Sequence, residues 1–230
     1  MLPQERLIVA IDRSERSAIH ELVEALEGTA GLFKIGLQAF IANGPSIVTD
    51  IRHRGARIFL DLKLHDIPNT VARSVAEAAA LNVQMLTLHA SGGAAMMNAA
   101  ATAVGQTGTP LLLGVTVLTS LGERDLAAIG LAGTAESNAV RLASLAKDSG
   151  MNGVVASPLE IGAIRRSCGD SFLIVTPGIR AAEDAAGDQS RTMTAAAAVK
   201  AGADYIVVGR PITEAASPRD AALRIVDSIA

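Results

Sequence analysis

Residues 57–70, RIFLDLKLHDIPNT, decide the fold, because they join a buried strand to a helix through a polar turn. The run IFL is too continuously apolar to be half exposed, which is typical of a strand buried on both faces. Pro68 stops the strand. Asn69 is of a residue type that often caps helices, and we expect it to cap a helix that begins near Val71. The segment therefore predicts one strand–helix unit with charges at the carboxyl end of its strand.

Further apolar runs on both sides repeat this pattern, and Ala-rich stretches of helical period lie between them. In one such stretch, SERSAIHELVEALEG, Ser14 and Gly28 predict the start and the end of a helix. The runs are LIVAID, FKIGL, RIFLDLK, MLTLHA, LLLGVTVL, GVVAS, FLIVTPG and DYIVVGR. Eight alternations favour a closed (β/α)₈ TIM barrel, and the pattern alone leaves an open doubly wound sheet as the alternative. We expect residues 1–230 to form one domain, since barrels of this kind commonly have this length.

The composition narrows the class of partner and the compartment. The formal net charge is −3 and Lys and Arg are not clustered, which argues against a nucleic-acid partner. Cys168 is the single cysteine, so an intrachain disulfide is excluded and a reducing compartment is favoured. The first apolar run is too short for a signal-peptide core, and no run approaches the length of a membrane span. We therefore expect a cytoplasmic protein without a membrane partner.

Polar side chains stand at the carboxyl ends of several predicted strands. In a parallel barrel these ends meet at one face, which is the face that carries active sites. The residues concerned are Asp12, Lys34, Asp61, Lys63, His89, Thr119 and Arg210. The sequence thus predicts a polar site assembled from distant parts of the chain.

Asp61 and Lys63 form the most informative pair among them. They are two residues apart, so on a regular strand both side chains point the same way and place a carboxylate beside an ammonium. The simpler interpretation is a solvated salt bridge at a strand end, which contributes little. The addition of Asp66 and the rigid IPNT turn favours a built site.

The order D-x-K-x-x-D-I-P-N-T, which begins at Asp61, resembles the signature of the orotidine 5′-phosphate decarboxylase family. The other motifs follow in matching order along nearly the whole chain: AID, FKIGL, VTVLTS, TPGIR and VVGRPI. The resemblance implies a homodimeric enzyme without metal or cofactor. Its expected reaction is the decarboxylation of orotidine 5′-phosphate to uridine 5′-phosphate, the last step of pyrimidine nucleotide synthesis.

The resemblance also implies roles for the charged residues. Lys63 is expected to stabilise and protonate the ring carbanion, and Asp61 to lie near the departing carboxylate. Lys34 is expected to neutralise Asp61, which gives an alternating row Lys34–Asp61–Lys63–Asp66. Asp66 is expected to come from the other subunit, so that each site is shared across the dimer interface.

Further substrate contacts follow from the same resemblance. Asp12 is expected to accept from the ribose hydroxyls, and Thr119, or Ser120 beside it, to bind the amide edge of the pyrimidine. Residues 178–190, GIRAAEDAAGDQS, form a candidate lid. The expected phosphate contacts, after the last two strands, are Arg180, Gln189, Gly209 and Arg210. The substrate contacts expected elsewhere are Lys34, Asp61, Ile67 and Thr70.

Two other functions remain as alternatives at this point. Magnesium-dependent sugar-phosphate lyases of the same superfamily share D-x-K-x-x-D, but typically carry a metal-binding Glu where this chain has Lys34. A cation there would repel magnesium, and the spacing of His65 and His89 matches no zinc signature. A non-catalytic barrel that senses a phosphorylated ligand is the second alternative.

Overall fold

A closed parallel barrel forms the frame of the molecule. The computed structural model describes residues 1–105, 108–180 and 192–230, and within these ranges eight strands pair in chain order around the barrel. The strands are β1 (Leu7–Ile11), β2 (Leu32–Gly36), β3 (Ile58–Leu64), β4 (Met85–His89), β5 (Leu111–Val115), β6 (Gly153–Val155), β7 (Leu173–Thr176) and β8 (Tyr205–Val208). Pairing of β1 with β8 closes the barrel, which confirms the TIM fold and excludes the open sheet.

Helices connect the strands and cover the outside of the barrel. The longer helices bury one stripe each, as α2 does with Ile19, Leu22 and Val23. The helices of the described ranges are α1 (Pro3–Arg6), α2 (Arg16–Ala25), α3 (Leu37–Asn43), α4 (Ser46–His53), α5 (Pro68–Ala80), α6 (Gly93–Val104), α7 (Glu123–Ala128), α8 (Ala135–Asp148), α9 (Ile161–Cys168), α10 (Ala195–Ala201), α11 (Arg210–Thr213) and α12 (Pro218–Ser228). No described helix is both long and apolar enough to cross a membrane.

Two predicted helix caps are wrong. The helix α5 starts at Pro68, whose fixed φ suits the first helical turn, so Asn69 lies inside the helix and not before it. The cap of α2 is Glu15, because the hydroxyl of Ser14 accepts a hydrogen bond from Gln38 Nε2 at 3.1 Å instead of capping the helix. Ser14 therefore ties the loop after β1 to α3.

Side chains alternate between the two faces of each strand, so one set forms an inner apolar layer and the other forms an outer apolar layer. In β1, Ile8 and Ala10 face the barrel interior, while Leu7, Val9 and Ile11 pack against the helices. The inner layer comprises Ile8, Ala10, Leu32, Phe59, Met85, Leu113, Val175, Tyr205 and Val207. Two residues further along their strands, Lys34, Asp61 and Thr87 continue this inner row. Strand parity therefore brings polar groups together above the apolar interior.

Candidate active site

A cavity of about 260 Å³ opens where the inner row reaches the carboxyl ends of the strands. Its walls combine charged groups with apolar side chains such as Val115, Leu118 and Ile179. Eight residues that the sequence predicted for the site line this cavity: Asp12, Lys34, Asp61, Lys63, Thr119, Arg180, Gly209 and Arg210. The barrel thus joins residues from both ends of the chain in one polar-apolar pocket.

Four of these side chains form a row of alternating charge. Lys63 Nζ lies 2.7 Å from Asp61 Oδ2, and Lys34 Nζ lies 3.5 Å from the same oxygen. Lys34 Nζ also lies 3.4 Å from Asp12 Oδ1, so the row continues to the end of β1. Contacts within one chain therefore connect Asp12, Lys34, Asp61 and Lys63. Asp12 was not expected in this row.

Asp61 is the buried centre of the row. It is only 8% exposed, and burial alone would oppose its ionisation. The charges of Lys34 and Lys63 outweigh that burial, helped by hydrogen bonds from Lys63 and Thr87, and the pKa of Asp61 is lowered. Asp61 is therefore a carboxylate held between two cations at neutral pH.

Lys34 is enclosed, so it is not a solvated strand-end lysine. Its side chain is 12% exposed, and a Cβ placed on Gly36 would lie 3.0 Å from its ammonium nitrogen. That separation is tighter than ordinary contacts, so a side chain at Gly36 would push the ammonium aside. The glycine leaves room for Lys34 between Asp12 and Asp61.

The backbone at Lys63 departs from the regular strand that the sequence predicted. Lys63 has φ +52°, a left-handed conformation that non-glycine residues rarely adopt. The pairing of β3 with β4 shifts register between Leu60 and Leu64, and Lys63 N donates to Thr87 Oγ1 at 2.9 Å. The two side chains of the D-x-K motif do meet, but through this irregular backbone. Thr87 was not among the predicted site residues.

The side of the cavity near β7 and β8 has a different character. Arg180 follows β7, while Gly209 and Arg210 follow β8, next to Pro211. The described lining residues on this side include two arginines and no acidic residue. Guanidinium groups with a small neighbour suit a phosphate or another dianion.

Some predicted contacts lie elsewhere. Asp66, Ile67 and Thr70 do not line the cavity; all three are exposed around the start of α5. Asp66 Oδ1 accepts a hydrogen bond from Ile67 N at 2.6 Å. Gln189 and most of the candidate lid, residues 181–190, lie outside the described residues.

Two histidines stand beside the row, with ring centroids 5.3 Å apart. His65 is exposed, while His89 at the end of β4 is partly buried. Burial lowers the pKa of His89, and the charges of His65 and Lys63 lower it further against the opposing charge of Asp61. Across residues 1–105, 108–180 and 192–230, no group of three His, Cys, Asp or Glu residues is arranged to hold a metal ion.

A closed parallel barrel with a charged cavity at the carboxyl ends of its strands defines the class as a (β/α)₈-barrel enzyme. A family model described as "Orotidine 5′-phosphate decarboxylase / HUMPS family" matches residues 5–225. The chain belongs to this family, as the D-x-K-x-x-D-I-P-N-T motif predicted.

Relatives and solved structures agree with this assignment. The chain is 48% identical to a protein of Syntrophotalea carbinolica named orotidine 5′-phosphate decarboxylase, over 99% of this chain and 96% of that one. A crystal structure of orotidine 5′-phosphate decarboxylase from Lactobacillus acidophilus superposes with a TM-score of 0.86 at 34% identity, covering 97% of this chain and 98% of that one. The enzyme of that name from Pyrococcus horikoshii gives a TM-score of 0.78 at 26% identity, with 97% and 98% covered.

Proposed function

We propose that this protein decarboxylates orotidine 5′-phosphate to uridine 5′-phosphate, with Lys63 as the group that stabilises and protonates the ring carbanion. The observation that carries the proposal is the contact of Lys63 Nζ with the buried Asp61 carboxylate, 2.7 Å away, in the cavity of a member of this family. An ammonium fixed in this way can face a developing negative charge without reorganising.

The reaction needs little more than this placement of charge. As the ring–carboxylate bond breaks, its electron pair stays on the ring carbon in an sp² orbital, and carbon dioxide leaves. A proton from Lys63 Nζ then forms the new C–H bond, and solvent returns a proton to the amine. Asp61 keeps Lys63 charged and oriented until that transfer. A substrate carboxylate about 4 Å from Asp61 would also be repelled by roughly 4 kcal/mol at an effective dielectric of 20.

The rest of the cavity suits the other parts of a nucleotide. In our proposal Asp12 accepts from the ribose hydroxyls and Thr119 binds the pyrimidine amide edge. Arg180, Gly209 and Arg210, together with Gln189, hold the phosphate. A phosphate far from the reacting carbon still contributes to the rate, because its binding energy can organise the site around the ring.

Lys34 supports a reaction without a metal ion. Its ammonium lies 3.4 Å from Asp12 and 3.5 Å from Asp61, and so occupies the space between the two carboxylates that a divalent cation would bridge. The magnesium-dependent sugar-phosphate lyases of the superfamily typically carry a Glu there. The cation at position 34 therefore favours the pyrimidine nucleotide over a sugar phosphate.

The test is the loss of orotate-ring absorbance when the purified protein meets orotidine 5′-phosphate, with and without exhaustive chelation. We expect equal turnover in both samples. Turnover that disappears with chelator and returns with magnesium would favour the sugar-phosphate lyases. Binding of the nucleotide without any turnover would favour a sensing barrel.

We also propose a homodimer in which Asp66 of one subunit completes the charged row of the other, with Ile67 and Thr70 as contacts from the same segment. In support, this segment is exposed beside the site, and Ile67 is 65% exposed. The helix α3, which follows the neighbouring strand, exposes Ile41 at 77%. A partner that covered both side chains would remove this apolar surface from water, which favours association. We further propose that residues 1–230 form a single domain and that the protein is cytoplasmic.

Hybrid dimers test the shared site. Homodimers of Lys63→Ala and of Asp66→Asn should each be severely impaired. Random subunit exchange between equal amounts makes about half of the dimers hybrid, and each hybrid has one site with both native residues, so about a quarter of all sites should recover. No recovery despite demonstrated exchange would mean that Asp66 serves its own chain.

A further inference from the structure

Thr87 joins the two catalytic charges through a single oxygen atom. It lies in β4, is 0% exposed and does not line the cavity. Its Oγ1 donates to Asp61 Oδ1 at 2.9 Å and accepts from Lys63 N at 2.9 Å. The hydroxyl thus contacts the carboxylate that holds the lysine ammonium and the backbone that carries the same lysine.

The irregular pairing of β3 and β4 explains why a hydroxyl is needed at this point. Leu60 pairs with Leu86, whereas Leu64 pairs with Leu88, so four steps along β3 oppose two along β4. The amide of Lys63 lies in the bulged part, where φ is +52°. Thr87 Oγ1 takes the place of a main-chain carbonyl as acceptor for this amide. A buried amide without a partner would destabilise the bulge.

The same hydroxyl fixes the second oxygen of Asp61. Oδ2 contacts the ammonium groups of Lys63 and Lys34, and Oδ1 receives the Thr87 hydrogen bond. With both oxygens occupied, the carboxylate plane is defined by contacts from three strands. Rotation of the carboxylate would move Lys63 Nζ with it.

We propose that Thr87 is a positioning residue for the decarboxylation, which sets the backbone and the counter-ion of Lys63 without contacting substrate. This inference rests on the proposed function for its kinetic consequence. A purely structural role would affect stability alone. Positioning instead predicts a loss of kcat, since a displacement of about 1 Å of a catalytic group can cost about 100-fold in rate.

The test compares Thr87→Val, which keeps the shape and removes the hydroxyl, with Thr87→Ser, which keeps the hydroxyl. For Thr87→Val we expect kcat to fall roughly 10- to 100-fold, while KM and the affinity for uridine 5′-phosphate change less than about threefold. Thr87→Ser should restore kcat to within about threefold of the parent. Thr87→Ala serves as a second removal of the hydroxyl if the valine variant does not fold.

Thr116→Val is the matched control. Thr116 is also buried, at 5% exposure, and its hydroxyl donates to Val155 O at 3.0 Å, a main-chain acceptor that is not part of the charged row. We expect this variant to lose stability but to keep kcat. A Thr87→Val enzyme that loses stability yet keeps kcat within threefold of the parent, or a serine variant that fails to restore it, would overturn the proposal.

A readout without turnover separates this inference from the proposed function. The amide resonance of Lys63, observed after lysine labelling with ¹⁵N, should move in Thr87→Val and return in Thr87→Ser. If the parent protein fails to decarboxylate the nucleotide, the proposed function fails, and the Lys63 resonance still decides whether Thr87 holds the lysine. An unmoved resonance would contradict the positioning role.

Discussion

The two sides of the cavity handle charge in opposite ways. On the side of β1, β2 and β3, Asp12, Lys34, Asp61 and Lys63 neutralise one another through contacts of 2.7 to 3.5 Å. On the side of β7 and β8, the described lining residues include Arg180 and Arg210 and no acidic residue. The first side is organised by contacts within the chain, and the second presents arginine side chains of the kind that suit a dianion. Changes on the first side should therefore act mainly on kcat, and changes on the second mainly on KM.

The largest effect is expected from Lys63→Ala, which breaks the organised side. Removing the proton donor and the cation beside the carbanion should lower kcat by roughly 10⁴-fold or more. KM should change far less, because the ribose and phosphate contacts remain. Steady-state kinetics measure both, with Lys200→Ala on the exposed face of α10 as the control. Turnover within tenfold of the parent would remove Lys63 from the proposed role.

A smaller effect is expected from Arg210→Ala on the arginine side. Loss of a charge-assisted contact to phosphate should raise KM, and the Kd of uridine 5′-phosphate, by about 10- to 100-fold. A second experiment changes the substrate instead of the protein: added phosphite dianion should partly restore the turnover of a substrate that lacks the phosphate. Arg166→Ala, an exposed arginine on α9, is the matched control. An unchanged KM would mean that the phosphate binds elsewhere.

The smallest expected effect is on the stability of the folded protein at acidic pH, and it comes from His89. Because burial lowers the pKa of His89 in the folded protein, the unfolded chain binds more protons as the pH falls below about 6.5. The contribution of His89 to stability is therefore present above this pH and is lost as the pH falls through the lowered pKa of His89 in the folded protein. For one proton the slope cannot exceed about 1.4 kcal/mol per pH unit.

His89→Gln should flatten this part of the dependence of the unfolding free energy on pH. Urea unfolding at several pH values and one protein concentration measures it, with His53→Gln at the exposed end of α4 as the control. Equal slopes in the parent and His89→Gln would show that His89 does not titrate with folding.

The sequence predicted the barrel because strand burial and parity are local patterns. Each apolar run overlaps a strand, and parity alone carries Lys34 and Asp61 to the inner row. The position of Asp12 next to Lys34 was not predicted, since it depends on the geometry of a loop after β1. The wrong cap at Ser14 has a similar cause, because its hydroxyl accepts from Gln38 in α3. The wrong cap at Asn69 has a local cause, because α5 already begins at Pro68.

The role of Thr87 was not predicted, for a different reason. In MLTLHA it is one small polar residue inside an apolar run, and threonine is common in strands for its shape alone. Its role depends on the register shift between β3 and β4, which no periodicity of a single strand reveals. The contributions of Asp66, Ile67 and Thr70 stay predictions, because they depend on contacts between two subunits.

The left-handed backbone at Lys63 also decides which residues position 63 can tolerate once the reaction is no longer needed. Glycine adopts φ +52° without penalty, whereas any residue with a Cβ is disfavoured there by roughly 1 kcal/mol or more. Since Lys63→Gly and Lys63→Ala lose the same ammonium, the glycine variant should be the more stable, which reverses the usual order of the two residues within strands. Relaxed selection should thus let this position drift towards glycine. A relative with glycine here would be a barrel that has kept its fold after losing its chemistry.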